Sequence, residues 1–127
     1  MEELRANWGS TSMSNFKHDL MIDEGLRLRA YQDHLGVWTI GYGTNLQVLE
    51  ISEATARKWL DRKLDEIEAG VSQHEHWCKL NGARKDVVRS MAYQMGINGT
   101  FNFKDMWRAI KVSDWVAASA AMRDSKW

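Results

Sequence analysis

Only one stretch of this chain, residues 29–44, leaves the helical spacing of apolar residues that governs most of the remaining sequence. Within it, Val37-Trp38-Thr39-Ile40-Gly41-Tyr42 is β-branched and aromatic, so its side chains alternate between two faces of a strand. Trp38, Ile40 and Tyr42 share one face, and Val37, Thr39 and Gly41 the other. Ala30-Tyr31-Gln32 reads as a short partner strand, and Asp33-His34-Leu35-Gly36 as the turn that joins them. A single small hairpin set among helices restricts the chain to an α+β fold that is mostly α.

The helices have their own signals. Phe16, Leu20 and Met21 open an apolar stripe that runs to Glu24, with Ser14 as the expected N-cap and Gly25 as the stop. Ser52 caps the clearest helix, where Ala56, Leu60, Leu64, Ile67 and Val71 recur at helical spacing. Its charged faces carry the i,i+4 pairs Glu53–Arg57 and Arg62–Glu66. After a turn at Asn81-Gly82, a helix carries Val87, Val88, Met91, Ala92 and Met95, and breaks at Gly96 and Asn98-Gly99. Phe103, Met106, Trp107 and Ile110 mark a short helix, and Ser113 is expected to cap an alanine-rich last one. Residues 1–12 have no period and read as a tail or linker stub. The remainder, 13–127, reads as a single domain: an N-terminal helix and β lobe over about 13–51, a connecting helix over 52–71, and a helical lobe over 72–127.

Composition narrows the function classes. A chain of 127 residues buries roughly two-thirds of its unfolded surface, enough for a core without metals or disulfides. The one cysteine, Cys78, allows no internal disulfide framework. No apolar run approaches the ~20 residues of a membrane span, and Met1-Glu2-Glu3-Leu4-Arg5 does not resemble a secretory leader. Lys plus Arg and Asp plus Glu number 17 each, which counts against a generic nucleic-acid binder. The distribution is uneven: from Lys79 onward 9 basic residues face 4 acidic ones, a bias suited to an anionic partner.

Three residues carry candidate chemistry. Glu24 falls four residues after Leu20 and eight after Phe16, on the apolar stripe, where desolvation favours the neutral acid that a proton donor requires. A helix-end glutamate paired with Arg27 or Arg29 is the plainer alternative. Asp33 sits in the hairpin turn, where aspartate also serves backbone donors. Two carboxyl groups of unlike setting across a cleft are the device of glycoside hydrolysis; Thr39, opposite Trp38 and Ile40 on its strand, would turn its hydroxyl to the same cleft and hold a water, though alone it reads as an ordinary strand threonine. His74-Glu75-His76-Trp77-Cys78 matches no zinc spacing, and Gly41-Tyr42-Gly43 is not a phosphate loop.

Taken together, Asp23-Glu24-Gly25-Leu26-Arg27-Leu28, Tyr31-Gln32-Asp33 and Gly36-Val37-Trp38-Thr39-Ile40-Gly41-Tyr42-Gly43 resemble the signature of the tailed-phage lysozymes, the endolysins of glycoside hydrolase family 24. The likeness continues through the helix after Ser52, Met91-Ala92-Tyr93-Gln94-Met95-Gly96, Phe103 and Asp124-Ser125-Lys126-Trp127. It covers roughly residues 14–127. Two features depart from the family: Thr44 stands where histidine is common, and members usually continue beyond the position of Trp127, with a helix that supplies an arginine near the catalytic glutamate.

The resemblance implies a two-lobed, lysozyme-like fold and a muramidase that cuts the β-1,4 bond between N-acetylmuramic acid and N-acetylglucosamine in bacterial peptidoglycan. Glu24 is then the general acid, Asp33 and Thr39 activate a water, and Tyr93 and Gln94 line the sugar groove. Inversion at the anomeric carbon implies carboxylates about 6.5–9.5 Å apart. No metal or cofactor is expected, nor nucleic acid or membrane insertion; a monomer is expected to accumulate in the host cell cytoplasm before reaching the wall. The alternatives are a non-catalytic wall-binding or virion structural domain and a small DNA-binding regulator, and the charge balance and the missing helix-turn-helix argue against the regulator.

Overall fold

The computed structural model describes residues 13–125. The expected tail at 1–12 and the terminal Lys126-Trp127 of the family signature lie outside the described residues. The chain divides into two compact units at Ile51/Ser52.

The first unit opens with α1 (Met13–Glu24). Ser14, the expected cap, falls one residue inside this helix. Gly25 ends it in the left-handed region at φ +70°, its N–H donating to Met21 O at 3.0 Å, as a helix C-terminus requires. Then come β1 (Arg27–Gln32), β2 (Trp38–Gly41) and the two-residue β3 (Thr44–Asn45), an antiparallel sheet in the order β1-β2-β3. Tyr31 pairs with Thr39, Gln32 with Trp38, and Thr39 also with Asn45, with an irregularity between Arg27 and Tyr31. The hairpin is where the alternation places it, but β1 begins three residues before Ala30, and the third strand has no counterpart among the strands expected from the sequence. Thr39 is buried and Trp38 exposed, so the Thr39 face of β2 is the inward one.

The second unit holds the buried apolar core. It comprises α2 (Glu53–Val71), a 3-10 turn (Trp77–Lys79), α3 (Gly82–Phe101), α4 (Lys104–Lys111) and α5 (Trp115–Arg123). Ser52 caps α2 by accepting from Thr55 N at 3.1 Å, and both expected pairs form, Arg57–Glu53 at 2.9 Å and Arg62–Glu66 at 3.5 Å. Only the C-terminal end of the α2 stripe is buried, at Ile67 and Val71, whereas Leu60 and Leu64 are exposed. Ile67 and Val71 pack with Trp77, Val88, Met91, Met106, Trp107 and Ile110. Gly70 lets α3 approach closely, since a Cβ there would lie 2.6 Å from Ile97 Cδ1.

Besides Ser14, three further helix boundaries differ from those expected. Asn81 is a cap, accepting from Arg84 N at 2.9 Å. The kink at Gly96 (φ 84°) does not end α3, which runs on through Asn98-Gly99 to Phe101, with Thr100 Oγ1 donating to Gly96 O at 2.8 Å across the break. At the last helix the cap is Asp114, whose carboxylate accepts from Ala117 N at 3.0 Å. Ser113 instead takes φ 57°, a left-handed position at odds with the extended backbone of an N-cap.

Candidate active site

An open pocket of about 480 Å³ in the first unit is lined by Glu24, Arg27, Asp33, Thr39, Gly43 and Asn45, among others. The three residues singled out for acid–base work therefore share one concavity. Helix α1 delivers Glu24 from its last residue, the hairpin turn delivers Asp33, and the inward face of β2 delivers Thr39.

The turn fixes Asp33 tightly. Its Oδ1 accepts from Leu35 N at 2.8 Å and Val37 N at 2.9 Å, while its own N–H donates to Val37 O at 3.0 Å. Gly36, at φ +79°, closes the turn by donating to Asp33 O at 2.9 Å. Aspartate thus serves the backbone, as turn chemistry expects, with one oxygen only. Among the described residues, no protein donor engages Oδ2.

Thr39 is locked from the same carbonyl. Its Oγ1 donates to Val37 O at 2.9 Å, and the residue is only 5% exposed. A hydroxyl whose proton is committed inward keeps only acceptor lone pairs for the pocket. Val37 O therefore joins the turn aspartate and the strand threonine in one rigid unit.

Glu24 differs from its expected setting. It is exposed, and Phe16, on the same stripe, is half exposed; the apolar surroundings expected from helical spacing are absent, because α1 carries no buried apolar residue among those described. The plainer alternative is not formed either. Among the described residues no ion pair ties Glu24 to Arg27 or Arg29, and Arg27 lies over the Tyr31 ring, 4.9 Å from its centroid. What lies close to Glu24 is Gly43, at φ +82°: a Cβ there would fall 2.7 Å from Glu24 Oε2 and 3.2 Å from its Cδ.

Tyr93 and Gln94 are exposed on α3, in the turn before the Gly96 kink. Among the described residues, no group of three or more His, Cys, Asp or Glu is arranged to hold a metal, and no helix is long and apolar enough to cross a membrane. Sequence reasoning misses Arg27, Gly43 and Asn45 as pocket-lining residues. Of these, Gly43 has a legible signal in the Gly-Tyr-Gly run, whereas Asn45 belongs to the short third strand, which has none.

Comparison with known proteins gives the family. The family described as Phage lysozyme matches residues 22–127. The "Probable T4-type lysozyme 1" of Dictyostelium discoideum is 27% identical over 145 aligned positions, covering 91% of this chain and 85% of that protein. The "Endolysin" of Acyrthosiphon pisum secondary endosymbiont phage 1 is 30% identical over 100 positions, covering 76% and 67%. The "Pre-baseplate central spike protein Gp5" of Enterobacteria phage T4 is 29% identical over 136 positions; these span 83% of this chain but 23% of the spike protein. With the matched region running from the end of α1 through the hairpin and the helical unit, the chain belongs to the phage lysozyme family.

Proposed function

We propose that this protein is a muramidase, hydrolysing the β-1,4 bond between N-acetylmuramic acid and N-acetylglucosamine in bacterial peptidoglycan by a single inverting displacement. The observation that carries this reading is that Glu24, Asp33 and Thr39 line one pocket, with the last two tied through Val37 O.

Each group has a defined task. Glu24 delivers its proton to the glycosidic oxygen as the C–O bond breaks, and the bonding pair leaves with that oxygen. A water on the other side of the sugar donates one hydrogen to Asp33 Oδ2, the oxygen not spent on the turn, and the other to Thr39 Oγ1. Both of its hydrogens are then held, and a lone pair faces the anomeric carbon. As the new C–O bond forms, Asp33 takes the proton, and exchange with solvent restores both carboxyl groups. Because Asp33 and Thr39 are held by backbone bonds, little reorganisation is left to the reaction itself. Tyr93 and Gln94 bind the glycan as sugar-groove residues, the aromatic ring offering a face for a pyranose. The chain acts as a monomer without metal or cofactor, gathers in the host cytoplasm, and lyses the cell once it reaches the wall.

A second reading, a lysozyme-type domain serving in a virion assembly without cutting glycan, draws on the likeness to the spike protein of phage T4. Proton NMR of freshly digested peptidoglycan separates the two. Under the first, new reducing ends appear initially as the α-anomer; β-anomer appearing first refutes the single displacement. No new reducing end at all brings the second reading forward.

A further inference from the structure

The His74-Glu75-His76 segment, which the proposed reaction does not use, forms part of a second concavity. About 300 Å³ in volume, it lies in the helical unit, and its charged walls are Lys104, Arg108 and Lys111 on α4 and Glu75 opposite. The three cations are spaced i, i+4 and i+7, one face of the helix, where like charges destabilise it. Lys79 adds a fourth cation nearby, its Nζ donating to Lys111 O at 2.6 Å.

The floor is aromatic. The His74 ring stacks on Trp107 at 3.6 Å between centroids and meets the edge of Phe101 at 5.1 Å. Trp107 is itself buried, with Nε1 donating to Thr100 O at 3.1 Å. His74 Nδ1 accepts from His76 N at 3.1 Å, which assigns the neutral ring's hydrogen to Nε2. Arg108 is steadied by Asp105 at 2.8 Å, with the rest of its fork remaining to donate.

From this arrangement we infer that the pocket between the His74–His76 segment and α4 is a binding site for a phosphate group. Lys104, Arg108, Lys111 and the nearby Lys79 outnumber Glu75 and the Asp105 carboxylate that pairs with Arg108, and this excess sets the sign of the ligand. Two ammonium groups and a guanidinium around one pocket suit the several oxygens of a tetrahedral phosphate better than the two coplanar oxygens of a carboxylate. A solvated basic face would need no stacked wall opposite it; here the His74–Trp107 stack makes the surface beside the cations concave. The phosphate has two possible sources: a free phosphate ion or the phosphodiester of an anionic polymer.

The test uses the full 127-residue chain, titrated with inorganic phosphate and, separately, with a glycerol-phosphate oligomer, while the His74, His76 and Trp107 ring resonances are followed by NMR. Saturable shifts at these three rings are expected. They should weaken about tenfold in Kd in the double variant Lys104→Ala/Lys111→Ala, which removes two exposed cations, while circular dichroism stays unchanged. Tighter binding of the oligomer per phosphate assigns the polymer as source; equal or tighter binding of the ion assigns free phosphate. The inference falls if neither probe moves these rings, if the double variant binds as wild type does, or if polyglutamate binds as tightly as the oligomer. His74→Gln, which keeps the charges but removes the stacked ring, should weaken binding less than the double variant.

Discussion

At Asp33, the proposed reaction asks one carboxylate to serve two purposes that a single substitution can pull apart. Asparagine keeps Oδ1 as an acceptor for Leu35 N and Val37 N but cannot take a proton from water. Asp33→Asn should therefore leave the thermal midpoint near wild type while lowering glycan cleavage by about 10²–10⁴-fold, the usual worth of a general base. Asp33→Ala should lose both the activity and the turn. An Asp33→Asn variant that cleaves normally would leave this carboxylate with its turn role alone. Gly43 offers a second residue-scale test. Alanine there must adopt φ +82° and place its Cβ 2.7 Å from Glu24 Oε2, so Gly43→Ala should cost about 1–2 kcal/mol of stability from backbone conformation. It should also lower activity further by displacing the Glu24 carboxyl, read as a fall in kcat at saturating substrate in the folded variant.

Among the elements, what is legible in the sequence and what is not divides along physical lines. The hairpin, the Ser52 cap and the Glu53–Arg57 and Arg62–Glu66 pairs are local effects, set by residues near one another in the chain, and all are found. Glu24, Asp33 and Thr39 are legible as residues for the same reason, being close in sequence and brought to one pocket by one turn and one strand. The surroundings of Glu24 are not, because helical spacing gives the direction of a side chain but not what packs there. Nor is β3, whose two residues, Thr44-Asn45, are too few for alternation to register. Ser113 resembles a cap in sequence because serine and aspartate stand side by side, and only backbone angles distinguish them. A pair of variants checks that correction: Asp114→Ala should cost about 1 kcal/mol, the worth of an N-cap, whereas Ser113→Gly should stabilise the chain by up to about 1 kcal/mol by relieving φ 57° just before α5. Equilibrium urea unfolding gives both values.

For the molecule as a whole, two groups of opposite charge type among the described residues tie stability to acid pH. Burial, with His76 nearby, holds His74 below the ordinary imidazole range. Unfolding therefore takes up a proton at His74 near and below the ordinary imidazole value of about pH 6.5, and stability falls as pH is lowered through that window. Glu68 is held below the ordinary carboxylate range by its two bonds to Arg89, at 2.7 and 3.0 Å, which join α2 to α3. Its contribution is present above the unfolded-state value and is lost only at lower pH, as the folded carboxylate protonates; being half exposed, it is also weakened by salt. The melting temperature should thus drop in two stages on acidification. His74→Gln should diminish the first stage and Glu68→Gln the second, and a single stage unmoved by either variant would contradict this assignment.

Whether Glu24 is the proton donor of a glycan-cutting pocket is tested most directly by the release of new reducing ends from purified peptidoglycan, with wild type and Glu24→Gln compared at equal concentration. Steady release by wild type is expected, with a fall of about 10²–10⁴-fold in the variant and both proteins folded by circular dichroism. No release by a folded wild-type chain, or undiminished release by Glu24→Gln, would contradict that role.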